Sequence, residues 1–210
     1  YTYNELPALT NFNQGGYYVG GLIGNGEGKT VTINNTRING AINVRAGKDS
    51  SNYENAGGLV GKAGTVNVNN VVVGGNITVQ GSSYVGGIAG YLSGGYTVKN
   101  FNIGSNSINV TAYGECAGGL VGKQDGTGST CTVSDLTLNK VVVSATGALA
   151  AGVCGYARGA TTLTNFVIGY ANVKSTGNIK VGGFFGSMDN KLTLTKCEIT
   201  DGDIRGYQCV

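Results

Sequence analysis

The segment AGGLVG at residues 56–61 and, three residues further on, TVNVNNVVV at residues 65–73 decide the fold, because both halves recur along the chain. The glycine half returns as VGGLIG at Val19, VGGIAG at Val85, AGGLVG at Ala117, AAGVCG at Ala150 and VGGFFG at Val181, so that six starts lie 37, 29, 32, 33 and 31 residues apart. A period of that length marks one structural unit stacked on copies of itself.

Composition selects the kind of unit. With 39 glycines, one proline and abundant Val, Ile, Thr, Tyr and Asn, the 210 residues suit strands joined by turns and suit helices badly. The glycines lack the period of three that collagen needs, and regularly spaced Val and Ile can bury a core. Repeats run from end to end without a linker, which predicts one domain over residues 1–210, residues 19–210 holding six repeats. The net charge of +3 arises from 14 basic and 11 acidic side chains spread singly. No basic stripe of the sort that tracks phosphates is present, so no nucleic-acid partner is expected. The longest apolar window, residues 141–157, is broken by Ser, Thr and Gly and reads as two strands and a turn, with no membrane span. A chain that opens on Tyr1 is expected to be a processed product or a piece of a longer protein.

The second half of each unit aligns as TVTINNTRI from Thr30, TVNVNNVVV from Thr65, YTVKNFNI from Tyr96, CTVSDLTL from Cys131, TTLTNFVI from Thr161 and LTLTKCEI from Leu192. The central column, Ile33, Val68, Val98, Val133, Leu163 and Leu194, is wholly apolar, and so is the column ending in Ile38, Val73, Ile103, Leu138, Ile168 and Ile199. Both are expected to face the core. Two residues after the central column stand Asn35, Asn70, Asn100, Asp135, Asn165 and Lys196, where alternation would demand another inward residue. Asn tolerates a left-handed backbone and can pass amide hydrogen bonds to a copy one coil away. An asparagine ladder at a sharp bend is predicted, ending at Lys196.

A third alternating segment follows in most units, as in AINVRAG from Ala41, NITVQG from Asn76 and VVVSATG from Val141. Three short strands per coil of roughly 32 residues predict an all-β fold, a parallel β-helix or solenoid of about six coils, right-handed by the usual sense of parallel crossovers and about 30 Å long. The glycine pairs act in this picture as packing devices that let walls approach. A phosphate loop is excluded, since neither a following helix nor a Lys-Ser/Thr pair is present. GGLVG followed by a turn and a V-x-N segment resembles the GLUG-motif repeats of secreted and surface proteins, including the non-catalytic part of certain IgA-cleaving proteases. The resemblance runs from about Val19 to near the end of the chain, with AAGVCG and VGGFFG as departures. It implies an extracellular β-helical scaffold without an activity of its own, and it transfers no catalytic residue.

The chain has no histidine and no tryptophan, which removes the commonest general base, the commonest zinc ligand and the usual sugar-stacking platform. Its eleven acids are dispersed in the sequence, and Asp201-Gly202-Asp203 reads as a turn. Neither catalysis nor a metal or other cofactor is therefore expected. The cysteines, Cys116, Cys131, Cys154, Cys197 and Cys209, lack zinc or redox spacing. Cys131 and Cys154 flank equivalent turns one coil apart, which suits a disulfide or, equally, two buried thiols. Cys209 is the first candidate for an intermolecular thiol.

Sequons at Asn34, Asn76 and Asn109 point outward and permit glycosylation, although composition alone yields about as many. Outward rows flank the central column: Thr32, Asn67, Thr97, Thr132, Thr162 and Thr193 before it, Asn34, Asn69, Lys99, Ser134, Thr164 and Thr195 after it. Regular Thr-x-Thr arrays are similar to the ice-binding faces of antifreeze proteins, and Thr is also simply a good outward strand residue. Neither end shows an amphipathic cap helix, and residues 1–18, in which LTNF repeats the text of residues 163–166, suggest an incomplete first coil or docking segment. The expected function is a non-catalytic structural solenoid, extracellular or on a cell surface, that pairs with itself end to end as a filament block or adhesin and carries glycan. The alternative is an ice- or carbohydrate-binding solenoid that uses the outward Thr face.

Overall fold

A computed structural model describes residues 4–12, 17–47, 54–147, 149–177 and 180–206. These residues form a parallel β-solenoid of about six turns and contain no helix. The central column is in register through all six coils, Ile33 beside Val68, Val98, Val133, Leu163 and Leu194. The third segment stacks the same way, Val44 on Val79, Val110, Val143, Val173 and Ile204. All but the last member of each row are buried in one continuous core, and each such side chain contributes about 1.5–3 kcal/mol by leaving water.

Each glycine motif divides between two sheets. Its leading residues form a six-stranded sheet from Tyr18–Gly20, Asn55–Gly57, Tyr84–Gly86, Cys116–Gly118, Leu149–Ala151 and Lys180–Gly182. After the Gly-Gly step the chain enters the large sheet, as in Ala89–Leu92 and Val121–Gln124. Two close approaches force the glycines. A Cβ on Gly57 would lie 1.9 Å from the Val60 carbonyl oxygen across the corner, and one on Gly58 would lie 2.1 Å from the Gly87 carbonyl oxygen of the next coil. The motif is thus a sharp corner as well as a spacer. Ala151 stands opposite Gly118, the one place where the first glycine of the pair is replaced.

Asn35, Asn70, Asn100, Asp135, Asn165 and Lys196 all have positive φ, from 47° to 54°, and are the only non-glycine residues so placed among the described ones. The left-handed residue absorbs the break in alternation, so that Thr36, Val71, Phe101, Leu136 and Phe166 turn inward. Asn70 Nδ2 donates to Asn35 Oδ1 at 2.7 Å, and Asn165 Nδ2 donates to Asp135 Oδ1 at 2.9 Å, as a ladder requires. Lys196 keeps the bend without an amide to extend the ladder.

Among the buried polar residues, Gln124 is wholly enclosed. Gln124 stacks with Leu92 and Ala157, and its amide donates to the Gly94 and Gly126 carbonyls while accepting from the Arg158 and Gly159 amides. Four bonds satisfy the buried side chain and tie three coils together at their loops.

Two short strands precede the first glycine motif, and their register differs from their text. Asn4–Leu6 pairs with residues 36–38, and Leu9–Phe12 pairs with residues 42–45. LTNF therefore lies on the third segment, with Asn11 in register with Val44. The short link between the two strands brings the chain to that column. Asp201 and Asp203 are not in a turn either: they lie in the strand Leu192–Gly206, where pairing with Ala160–Ser175 keeps the backbone extended. No helix of the described residues is long and apolar enough to cross a membrane.

Lys196 gives a direct test of the bend. A left-handed Lys costs roughly 1–2 kcal/mol where Asn costs less, so Lys196→Asn should raise stability by about 1 kcal/mol in urea unfolding. Unchanged or lower stability would contradict the account of this column.

Candidate functional site

The corner at each glycine motif folds the wall inward and leaves a trough on the outer surface. One side carries the row Tyr18, Asn55, Tyr84, Cys116, Leu149 and Lys180. The other carries Asn25, Lys62, Tyr91, Lys123, Tyr156 and Ser187. Contacts cross the trough within a coil: the Tyr84 and Tyr91 ring centroids are 5.5 Å apart, and Lys180 Nζ donates to Ser187 Oγ at 3.1 Å. A cavity of about 240 Å³ is lined by Tyr18, Asn55, Lys62, Tyr84, Tyr91 and Lys123.

Lysines and tyrosines alternate along the trough. Lys62 Nζ lies 4.6 Å from the Tyr18 centroid and 5.6 Å from that of Tyr91, while Lys123 Nζ lies 5.0 Å from Tyr84 and 5.7 Å from Tyr156. Each such contact contributes on the order of 0.5–1 kcal/mol at a surface. The phenols are fixed at their far ends, since Tyr84 donates to Glu115, Tyr91 to Asp125 and Tyr156 to Asp189. Lys62 pairs with Glu27 at 2.6 Å, Lys123 with Asp125 at 3.5 Å, and Arg158 bridges Asp125 and Asp189 at 3.1 and 3.5 Å.

Burial pushes the Tyr84 phenol well above its usual range, reinforced by the Glu115 carboxylate. Burial also acts to raise the Asp125 carboxyl, but hydrogen bonds from Arg158 and Tyr91 and the charge of Lys123 outweigh it and hold the group low. Asp125 is thus an ionised anchor. Acids dispersed in the sequence gather here because the coil period returns Asp125 and Asp189 to one edge. The trough escaped the sequence reading, although its signal was present: the residue after the last glycine of each motif alternates Lys and Tyr from Lys62 to Tyr156.

The outward rows lie on one strand face of successive coils. Thr32, Asn67, Thr97, Thr132, Thr162 and Thr193 are in register, and none is buried. A separate groove of about 350 Å³ runs beside the asparagine ladder, with Asn70, Asn100, Asn102 and Asp135 on its walls. Of the sequons, Asn34 is exposed, Asn76 Oδ1 accepts from the Ser107 amide and hydroxyl, and Asn109 Nδ2 donates to Ser107 Oγ. Asn34 is the least encumbered acceptor among the three.

The disulfide is corrected. Cys116, Cys131, Cys154 and Cys197 are free thiols, the first three buried. Cys131 and Cys154 face the interior, where they pack as small apolar groups. Burial raises the Cys131 thiol to about 11 and the Cys116 thiol to about 12, so neither is a nucleophile at neutral pH. Cys209 lies outside the described residues. Cys197 takes the column of Leu136 and Phe166, as the alignment predicts.

A carboxyl held low in the folded state stabilises fully above its unfolded pKa of about 3.9, and that contribution is lost as pH falls through the folded value. The acid limb of the stability profile, below about pH 4, should therefore be shallower in Asp125→Asn than in the unaltered chain, as read by thermal unfolding at stepped pH.

Compared with family models, curated proteins and solved structures, the chain matches none.

Proposed function

We propose that this chain is a non-catalytic structural block of an extracellular or surface filament, assembling coil end on coil end. The observation that carries this is the last coil. Leu192, Leu194 and Ile204 are 37%, 47% and 41% exposed, whereas their stacking partners Thr161, Leu163 and Val173 one coil inward are buried. The strands of this coil pair on one side only among the described residues, and a free parallel edge is a template for another strand. The opposite end supplies a pattern for the docking: Asn4–Leu6 and Leu9–Phe12 already lie as a partial coil upon a complete one. A second copy laid on the last coil in the same manner makes a head-to-tail contact that does not close, and such contacts extend into fibres.

The GLUG-like repeat and the exposed Asn34 sequon favour an extracellular setting, to which the free buried thiols add nothing. The absence of histidine and the low-held Asp125 favour a scaffold over an acid-base catalyst.

Electron microscopy of the purified chain should show particles one solenoid wide and many coils long. Leu194→Lys combined with Ile204→Lys should reduce them to monomers without loss of the β-signal in circular dichroism. Monodisperse monomers of the unaltered chain at high concentration would refute assembly.

A second reading, ice or carbohydrate binding, rests on the unbroken register of the outward Thr row. It requires thermal hysteresis or glycan retention that Thr162→Lys abolishes, and the lack of both in the unaltered chain would end it.

A further inference from the structure

We propose that the trough at the glycine corner is a binding site for an extended, uncharged oligosaccharide, separate from the Thr face and from the coil ends. Tyr84 and Tyr91 present rings 5.5 Å apart and inclined by 33°, with the Lys62 and Lys123 ammoniums over their faces, so that a sugar ring meets the aromatic edges and the donors set between them. Around it stand groups that donate and accept for hydroxyls: the Lys62 and Lys123 ammoniums, and the carboxylates of Glu27, Glu115 and Asp125 along the rim. The lining mixes three tyrosine rings with Lys62, Lys123 and Asn55, so aromatic surface and polar groups converge on the same small volume.

The site is held in shape before any ligand arrives. Lys62 and Lys123 are only 13% and 18% exposed, pinned between tyrosine faces and carboxylates. The phenol hydroxyls are bound at their far ends, so little side-chain entropy remains to be lost on binding. A further observation is independent of this ladder. Asn55, 3% exposed and part of the trough lining, has an Oδ1 with no hydrogen-bond partner among the described residues. Buried acceptors are rarely left unmet; this oxygen is closed to solvent, and a turn of the Asn55 amide toward the trough would let a ligand hydroxyl meet it.

Charge selects an uncharged ligand. A polyanion such as a nucleic acid or sulfated glycan needs unpaired cations in a row, but Lys62 is paired with Glu27 and Lys123 with Asp125. The trough also runs along the solenoid axis. Tyr91 and Tyr156 lie two coils apart, about 9.6 Å at about 4.8 Å per coil, a spacing on the scale of a disaccharide.

The test is retention of the purified chain on an array of neutral and acidic glycans, with fluorescent oligo-dT titrated in parallel. Neutral glycans should be retained and should survive high salt. Tyr91→Ala should weaken retention at least tenfold, Tyr91→Phe should weaken it much less because the ring remains and only the bond to Asp125 is lost, and Thr162→Lys should bind as the unaltered chain. The Leu194→Lys, Ile204→Lys variant should also bind, which separates this site from end-to-end assembly. Circular dichroism checks that each variant is folded. If Tyr91→Ala is unfolded, a folded Lys62→Gln decides in its place: loss of retention supports the site and undiminished retention overturns it. No retention on any neutral glycan, binding confined to acidic glycans or oligo-dT, or undiminished binding by a folded Tyr91→Ala would each overturn the proposal.

Discussion

Parallel backbone pairing in strict register between successive coils is the constraint on which the rest of the structure depends. A strand that pairs on both sides must place every bend where its neighbours place theirs, or it forfeits hydrogen bonds that a buried backbone cannot replace. The left-handed column obeys this without exception: φ lies between 47° and 54° in all six coils, even where the residue is Lys196. Tertiary pairing there overrides the preference of a lysine. The corner glycines answer the same constraint, since the carbonyl of the coil beside Gly58 occupies the space a Cβ would need.

Register also decides what the surface can be. Residues about one period apart become neighbours at about 4.8 Å, so each outward row is a line of side chains that must tolerate their own kind. Asn and Thr do so by hydrogen bonding. Lysines stacked directly would repel, and the trough avoids this by placing Tyr91 between Lys62 and Lys123, which doubles their separation and gives each ammonium a ring face. The lone acid of the ladder, Asp135, is accommodated as an acceptor for Asn165, with Lys99 at 3.9 Å.

The inner columns and the bend were legible in the sequence because they rest on local alternation and its single break, which no distant residue can alter. Where the sequence misled, a nonlocal influence prevailed. The text LTNF matches residues 163–166, yet its neighbours and the short link after Leu6 carry it to the third segment. Asp201-Gly202-Asp203 resembles a turn, but pairing with the strand before it keeps it extended. Cys131 and Cys154 flank equivalent turns in the text, but both lie in strands with their side chains in the core, where packing takes precedence over pairing.

From the sequence alone followed the number of coils, the inward columns, the left-handed asparagine bend and the outward Thr rows, since each is written within one period and repeated six times. Only the tertiary structure decided that the glycine motif is a corner and that its flanking tyrosines, lysines and acids converge into a trough. The physical reason is that a period specifies what stacks along the axis, whereas the folding of the wall across each coil depends on backbone approaches between segments that no linear pattern records.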